Sequence, residues 1–252
     1  MIQRDSLVSF LNEYLEVGSI GDYSWNGLQV EGTAQVEKVV CAVDSGIETF
    51  AAGRDAGADF IIVHHGLFWK KNDPRIIGWA KKRIEILLKN DLSLYACHLP
   101  LDRHVVVGNN ARLLAILDAT ITAPFSPMEG NNIGWIGEVK ESRSFESIVG
   151  RLEKALLSKC TSLAFGRRDI RTIAAVSGGG GMGCFNDALA AGVDCYITGE
   201  ETEVYHIAKD AGMNVIFAGH HASETVGVKA LADIVKKECK VEAEFIDIPT
   251  GL

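Results

Sequence analysis

The chain has no C-x-x-C pair, no apolar run long enough to cross a bilayer, and no excess of positive charge. Each absence removes a class of function. The six cysteines, Cys41, Cys97, Cys160, Cys184, Cys195 and Cys239, are scattered and mostly lie in apolar stretches. Such spacing suits reduced, buried thiols rather than a disulfide framework or a thiolate zinc site. The longest apolar runs, such as Phe60-Ile61-Ile62-Val63, are strand-sized and far below the roughly 20 residues of a membrane helix. The first ten residues mix charge into their apolar positions, unlike a signal peptide. A cytoplasmic protein with no membrane partner is expected. Lysine and arginine total 25 against 33 aspartate and glutamate, a net charge of −8, so nothing draws the whole chain to nucleic acid. The local basic clusters at Lys70-Lys71, Lys81-Lys82-Arg83 and Arg167-Arg168 read as solvated surface.

What is present is an ordinary globular composition over 252 residues, with 47% hydrophobic and 23% charged residues, enough for one large domain or two small ones. The sequence also repeats itself. Ala56-Gly57-Ala58-Asp59-Phe60-Ile61-Ile62-Val63-His64-His65 matches Ala191-Gly192-Val193-Asp194-Cys195-Tyr196-Ile197-Thr198-Gly199-Glu200, each reading as a helix ended by glycine and then a buried strand. Upstream, 39–46 parallels 173–178; downstream, 94–102 parallels 216–224, and the opening helices at 6–16 and 144–157 correspond. Each half thus alternates helices and strands, ending in a strand near 120–123 or 241–248, which predicts largely parallel sheets under covering helices. Turn chemistry at Gly130-Asn131-Asn132, after Pro124 and Pro127, places the boundary there. The expected fold is α/β: two similar α/β domains, 1–129 and 130–252, from an internal duplication.

All histidines except His206 fall near the C-terminal ends of predicted strands or just beyond, where open α/β sheets bind ligands. The constellation is His64-His65, His98 with Asp102, and His220-His221 with Glu224. Imidazoles with carboxylates suit zinc, iron, manganese or nickel, and a carboxylate able to bridge is what two ions about 3.5–4 Å apart require. Satisfied polar residues at caps and strand ends would explain a lone histidine. Two His-His pairs and two His-x-x-x-carboxylate units at equivalent ends of a duplicated pattern favour metal. His104 and His206 lack the pattern and read as surface or packing residues, Asp44 as an N-cap or turn residue, and Trp25 as a packing residue. Glu200 and Glu201 stand where the first half has His64-His65, so they are expected to border the same site. The run Ser177-Gly178-Gly179-Gly180-Gly181-Met182-Gly183 follows a strand and precedes a helix, so it suits either an anion cradle or a tight turn; it lacks a P-loop ending.

Together, Trp25-Asn26-Gly27-Leu28-Gln29-Val30, Ile61-Ile62-Val63-His64-His65-Gly66, His98-Leu99-Pro100-Leu101-Asp102, Thr198-Gly199-Glu200 and Ala218-Gly219-His220-His221-Ala222-Ser223-Glu224 resemble the Nif-three-like dinuclear metal centre family. Its members are also described as GTP cyclohydrolase type I, second class, homologues, and the likeness is greatest to the compact bacterial YbgI-type proteins. The resemblance covers nearly the whole chain. It implies a dinuclear site in the cleft between the domains, two divalent ions per chain, and a toroidal homohexamer. Carried over by position, the metal ligands are His64, His65, Asp102, His220 and Glu224; His98 matches a family position as a ligand, an orienter or a catalytic proton shuttle. The glycine run departs from the Gly-Thr-Gly-Gly-Gly of many relatives, which alters a hydroxyl position.

The implied function is a metal-dependent hydrolase acting on a small molecule, a nucleotide among the candidates. The GTP cyclohydrolase-like version opens the guanine imidazole ring with a metal-bound hydroxide. The competing class is a non-catalytic hexameric metal- or nucleic-acid-binding protein linked to DNA damage response, which the acidic charge disfavours.

Overall fold

A computed structural model describes residues 1–128 and 130–252. In chain order the elements are β1 (Ile2–Gln3), α1 (Arg4–Tyr14), β2 (Gly27–Val30), β3 (Gln35–Val36), β4 (Lys38–Asp44), α2 (Ile47–Asp55), β5 (Phe60–His65), α3 (Gly78–Lys89), β6 (Ser93–Ala96), α4 (Leu99–Arg103) and α5 (Asn109–Ile116). They continue with β7 (Ala119–Met128), β8 (Asn131–Ser144), α6 (Phe145–Leu156), β9 (Thr161–Ala164), β10 (Asp169–Val176), α7 (Gly181–Ala191), β11 (Cys195–Thr198), α8 (Tyr205–Ala211), β12 (Asn214–Phe217), α9 (His220–Cys239) and β13 (Glu242–Phe245). Two compact units result: Met1–Leu101 with Val228–Ile248, and Asp102–Gly227 with Pro249–Leu252.

The first unit carries a five-stranded sheet in the order β13-β4-β5-β6-β2, parallel throughout except for β2. Strands buried on both faces must be apolar along their length. Accordingly β4 buries Val39 to Val43, and β5 buries Phe60 to His64. Val40, Ile61, Val63, Leu94 and Ala96 pack with Phe50 of α2 and Leu87 of α3 in one core. Burying each of the larger side chains stabilises the fold by about 1.5–3 kcal/mol.

The second unit carries a six-stranded sheet in the order β7-β8-β10-β11-β12-β9, with β10, β11 and β12 parallel and the flanking pairings antiparallel. Helix α6 shows how the local sequence does this. Ser144 caps it by accepting from the Ser147 N–H at 3.2 Å, and Phe145, Ile148, Leu152 and Leu156 repeat at helical spacing and are buried. They pack with Leu113, Leu114, Ile173, Ile197 and Ile216.

The expected boundary at 129/130 differs from these units. Residue Glu129 itself lies outside the described residues. On either side of it β7 and β8 pair antiparallel, with Met128 opposite Asn131 and Pro127 opposite Asn132, so the turn chemistry marks a hairpin within the second unit. A turn signal reports chain reversal, whether or not a domain ends there. The closing strands also depart from the expected pattern. Strand β7 joins the second unit's sheet, and β13 adds to β4 in the first.

Among the described residues, no helix is long and apolar enough to cross a membrane. The cysteines are free, four of them buried. Burial pushes the Cys160 thiol up to about 11 and raises those of Cys41, Cys184, Cys195 and Cys239. None of these five is a poised thiolate.

Candidate metal centre

In the first unit, β5 ends in His64 and His65, and His98 follows β6 at the adjacent strand's end. Ligand atoms of the three side chains lie within 4.8 Å of one another. The ring centroids of His64 and His65 are 4.6 Å apart, and those of His64 and His98 are 5.1 Å apart. Consecutive strand residues point to opposite faces, but here the strand ends, which lets both rings turn the same way.

Each ring is anchored through the same atom. His64 Nδ1 bonds the Cys97 carbonyl at 2.9 Å, His65 Nδ1 bonds Asp44 Oδ1 at 2.7 Å, and His98 Nδ1 lies 3.0 and 3.2 Å from the two oxygens of Asp22. An imidazole held at Nδ1 by a carbonyl or carboxylate is fixed in orientation and made more basic at Nε2, which is how metal-ligating histidines are supported. Asp44 is therefore a support for His65 and not a helix cap; the N-cap of α2 is Gly46.

Asp22 is the residue that sequence reasoning missed. Only 4% exposed, it also accepts from the Ser24 and Leu99 N–H groups, both at 2.9 Å, and from Asn26 Nδ2 at 2.8 Å. Burial works to raise its pKa, but the hydrogen bond and charge of His98, with Asn26 and the Ser24 N–H, outweigh burial and lower it. Its carboxylate is the stable form. The usable sequence signal was Asp-x-Ser, a side chain folding back on the backbone two residues on.

In the second unit, His220 opens α9 and Glu224 stands one turn later, with His220 Nε2 to Glu224 Oε1 at 3.2 Å. His220 Nδ1 meets Glu200 Oε1 at 2.7 Å, repeating the anchoring arrangement. The Glu224 hydrogen bond chiefly, opposed by burial and assisted by Glu200, pushes the His220 pKa up to about 9. Glu200 borders the site as expected. Asp102, 6% exposed, accepts at Oδ1 from Asn109 Nδ2 at 2.8 Å and from Ser177 Oγ at 3.0 Å, so its carboxylate is oriented.

The glycine run has a steric reason here. A Cβ on Gly178, whose φ is +58°, would sit 2.2 Å from Glu224 Oε1 and 3.1 Å from His220 Nε2; one on Gly179 would sit 3.0 Å from Glu200 Oε2. Two of its amides are also engaged: the Gly178 N–H donates to Ser223 Oγ and the Gly180 N–H to Thr198 Oγ1. This supports the tight-turn reading over an anion cradle.

The remaining expectations separate cleanly. His104 Nδ1 accepts from the Val106 and Val107 N–H groups, which gives it a turn-bracing role, and His206 is an exposed residue whose ring lies 5.2 Å from that of Tyr205. Trp25 is 57% exposed, not packed.

The donor chemistry fits divalent cations: four imidazoles anchored at Nδ1, and carboxylates oriented by neighbours. The fold and side chains define an α/β protein with candidate metal-binding histidine and carboxylate groups at its strand ends. The chain belongs to the Duf34/NIF3 (NGG1p interacting factor 3) family, whose model matches residues 2–251. It is 45% identical over 249 residues, 98% of each chain, to a protein of Archaeoglobus fulgidus named GTP cyclohydrolase 1 type 2 homolog. Among solved structures it is similar to protein ybgI, of unknown function, at 35% identity and a TM-score of 0.93, covering 100% of both chains. It is similar also to TTHA1606 from Thermus thermophilus, at 36% identity and a TM-score of 0.86, again covering 100% of both.

Proposed function

We propose that this protein is a dinuclear-metal-dependent hydrolase of small molecules, with a GTP cyclohydrolase-like ring opening as the first activity to test. His64, His65, Asp102, His220 and Glu224 would hold two divalent ions. The observation that carries the reading is the shared anchoring of His64, His65, His98 and His220 at Nδ1, three of them by carboxylates. When bound, such ions supply Lewis acidity and an activated water. The chain's own contribution is orientation. Asp44, Asp22 and Glu200 fix three imidazoles; Asn109 and Ser177 fix Asp102. His98, with Nδ1 committed to Asp22, is left to ligate or to hold and pass a proton at Nε2.

In both sheets three consecutive parallel strands, β4-β5-β6 and β10-β11-β12, end against an antiparallel edge strand, β2 beside β6 and β9 beside β12, which supports an origin by internal duplication; the opposite edges differ, β13 being parallel to β4 and β8 antiparallel to β10. Self-association into a homohexameric ring belongs to the same reading. The printed name of the Archaeoglobus relative supports GTP as the first substrate, although fold and metal alone do not fix one.

The test is metal content of the purified protein with product detection after incubation with GTP, using Asp102→Ala as control. About two ions per chain and Asp102-dependent ring opening establish the reading. Two ions without turnover of GTP or of a panel of phosphoesters and nucleotides leave a binding protein. Fewer than one ion, under conditions that retain metal, overturns the centre.

A further inference from the structure

Beside the histidines of the first unit lies a cavity of about 310 Å³ lined by Tyr23, Trp69, Lys71 and Asn72. Its two aromatic walls are built in. The Trp69 indole N–H donates to the Gly66 carbonyl at 3.0 Å, and the 22–25 and 66–70 segments are stitched together by a Ser24–Trp69 bridge and by the Trp25 and Lys70 N–H groups. Tyr23 and Trp69 have ring centroids 5.7 Å apart. Both meet the His98 ring edge-on, at 5.3 and 5.1 Å. Tyr23 nevertheless remains 38% exposed, an amphipathic ring kept partly open beside a candidate metal centre. The other lining residues are a lysine and an amide, and among the described residues no carboxylate lines the cavity.

We propose that this cavity is a substrate subsite for a planar heteroaromatic ring bearing an anionic group, with the ring against Trp69 and Tyr23 and the anion against Lys71. Aromatic faces hold planar rings with little regard to their substituents, and a cation at the rim selects those carrying negative charge. A ring held there lies next to His98. The inference deepens the hydrolase reading and rests on it for the role of the site, but ring binding is measured separately from turnover.

The experiment is calorimetric titration of the purified full-length protein with GMP, with guanosine, which lacks the anion, and with ribose 5-phosphate, which lacks the ring. Wild type is compared with Tyr23→Leu, Trp69→Leu and Lys71→Gln, and metal content is measured on each. GMP should bind at least tenfold more tightly than ribose 5-phosphate, and each leucine variant should weaken GMP about tenfold or more. Lys71→Gln should weaken GMP, flatten its salt dependence and leave guanosine unchanged. Both rings meet His98, and Trp69 also meets His65 with ring centroids 6.0 Å apart, so Tyr23→Leu, accepted only with unchanged metal content, is the deciding variant. GMP that does not bind, that binds Tyr23→Leu as tightly as wild type, or that is matched by ribose 5-phosphate overturns the subsite. Ring binding without turnover of any tested nucleotide leaves the subsite standing and sinks the hydrolase reading; turnover indifferent to Tyr23→Leu does the reverse.

Discussion

Gly178→Ala puts the steric argument for the glycine run to a quantitative test. The added methyl would stand 2.2 Å from Glu224 Oε1, whereas ordinary contact begins near 3.4 Å, so the carboxylate must retreat by about 1.2 Å. Glu224 is only 2% exposed and sits on the first turns of α9, which leaves it little room. Positive φ adds about 1–2 kcal/mol for any L side chain, and forcing Glu224 off its rotamer adds about 0.5–1.5 kcal/mol. A loss of about 2–3 kcal/mol of stability is expected. On the proposed reading of Glu224 as a metal ligand, misplacing it by about 1 Å should also cost roughly 100-fold in function, and divalent-metal affinity should fall at least tenfold. Gly181→Ala supplies the internal control: its φ is +60°, but nothing lies within 4 Å of the added methyl. It should lose only the backbone component, about 1–2 kcal/mol, and keep its metal affinity. Denaturant unfolding of chelated protein and calorimetric titration with zinc or manganese read the two quantities. Equal metal affinities for the two variants would refute the claim that Gly178 exists to admit Glu224 and His220.

The metal-free protein should lose stability as pH rises from about 6.5 through 9. The folded state holds the His220 proton more tightly than the unfolded chain, with a pKa of about 9 against 6.5, so its contribution is complete below 6.5 and gone above 9. The expected size is on the order of 1–3 kcal/mol, and urea midpoints that do not fall between pH 6 and pH 9.5 would contradict it. Asp22→Ala leaves the His98 ring and the Ser24 and Leu99 N–H groups without their acceptor, which should cost about 2–4 kcal/mol and weaken metal binding 10- to 100-fold. Parallel unfolding and metal titrations check it, and an unchanged metal affinity would remove Asp22 from the centre. In α6, Ser144→Ala should cost about 1 kcal/mol through the lost cap, while Gly150→Ala, exposed with open space around it, should gain about 0.5–1 kcal/mol. Thermal melts of the two variants should shift in opposite directions.

Much of the site was legible because parallel strands buried on both faces must be continuous apolar runs, and such runs end where ligands bind. The runs into His64-His65 and up to His98 and His220 therefore located the histidines, and helices expected at 6–16 and 144–157 appear at Arg4–Tyr14 and Phe145–Leu156. Asp44 was visible at a strand end but was read by its local turn neighbours. Its partnership with His65 depends on β4 and β5 lying in register, Asp44 opposite His65.

By itself, then, the sequence determined the α/β class, the family resemblance and the positions of the imidazoles, all of which depend on periodicity or on neighbours in the chain. Tertiary structure alone decided that Asp22 meets His98 across 76 positions, that Gly178 is small because of Glu224, and that β13 pairs with β4. Those facts rest on contacts between distant segments. Local propensity places an element, but only burial and the pairing of strand edges choose its neighbours.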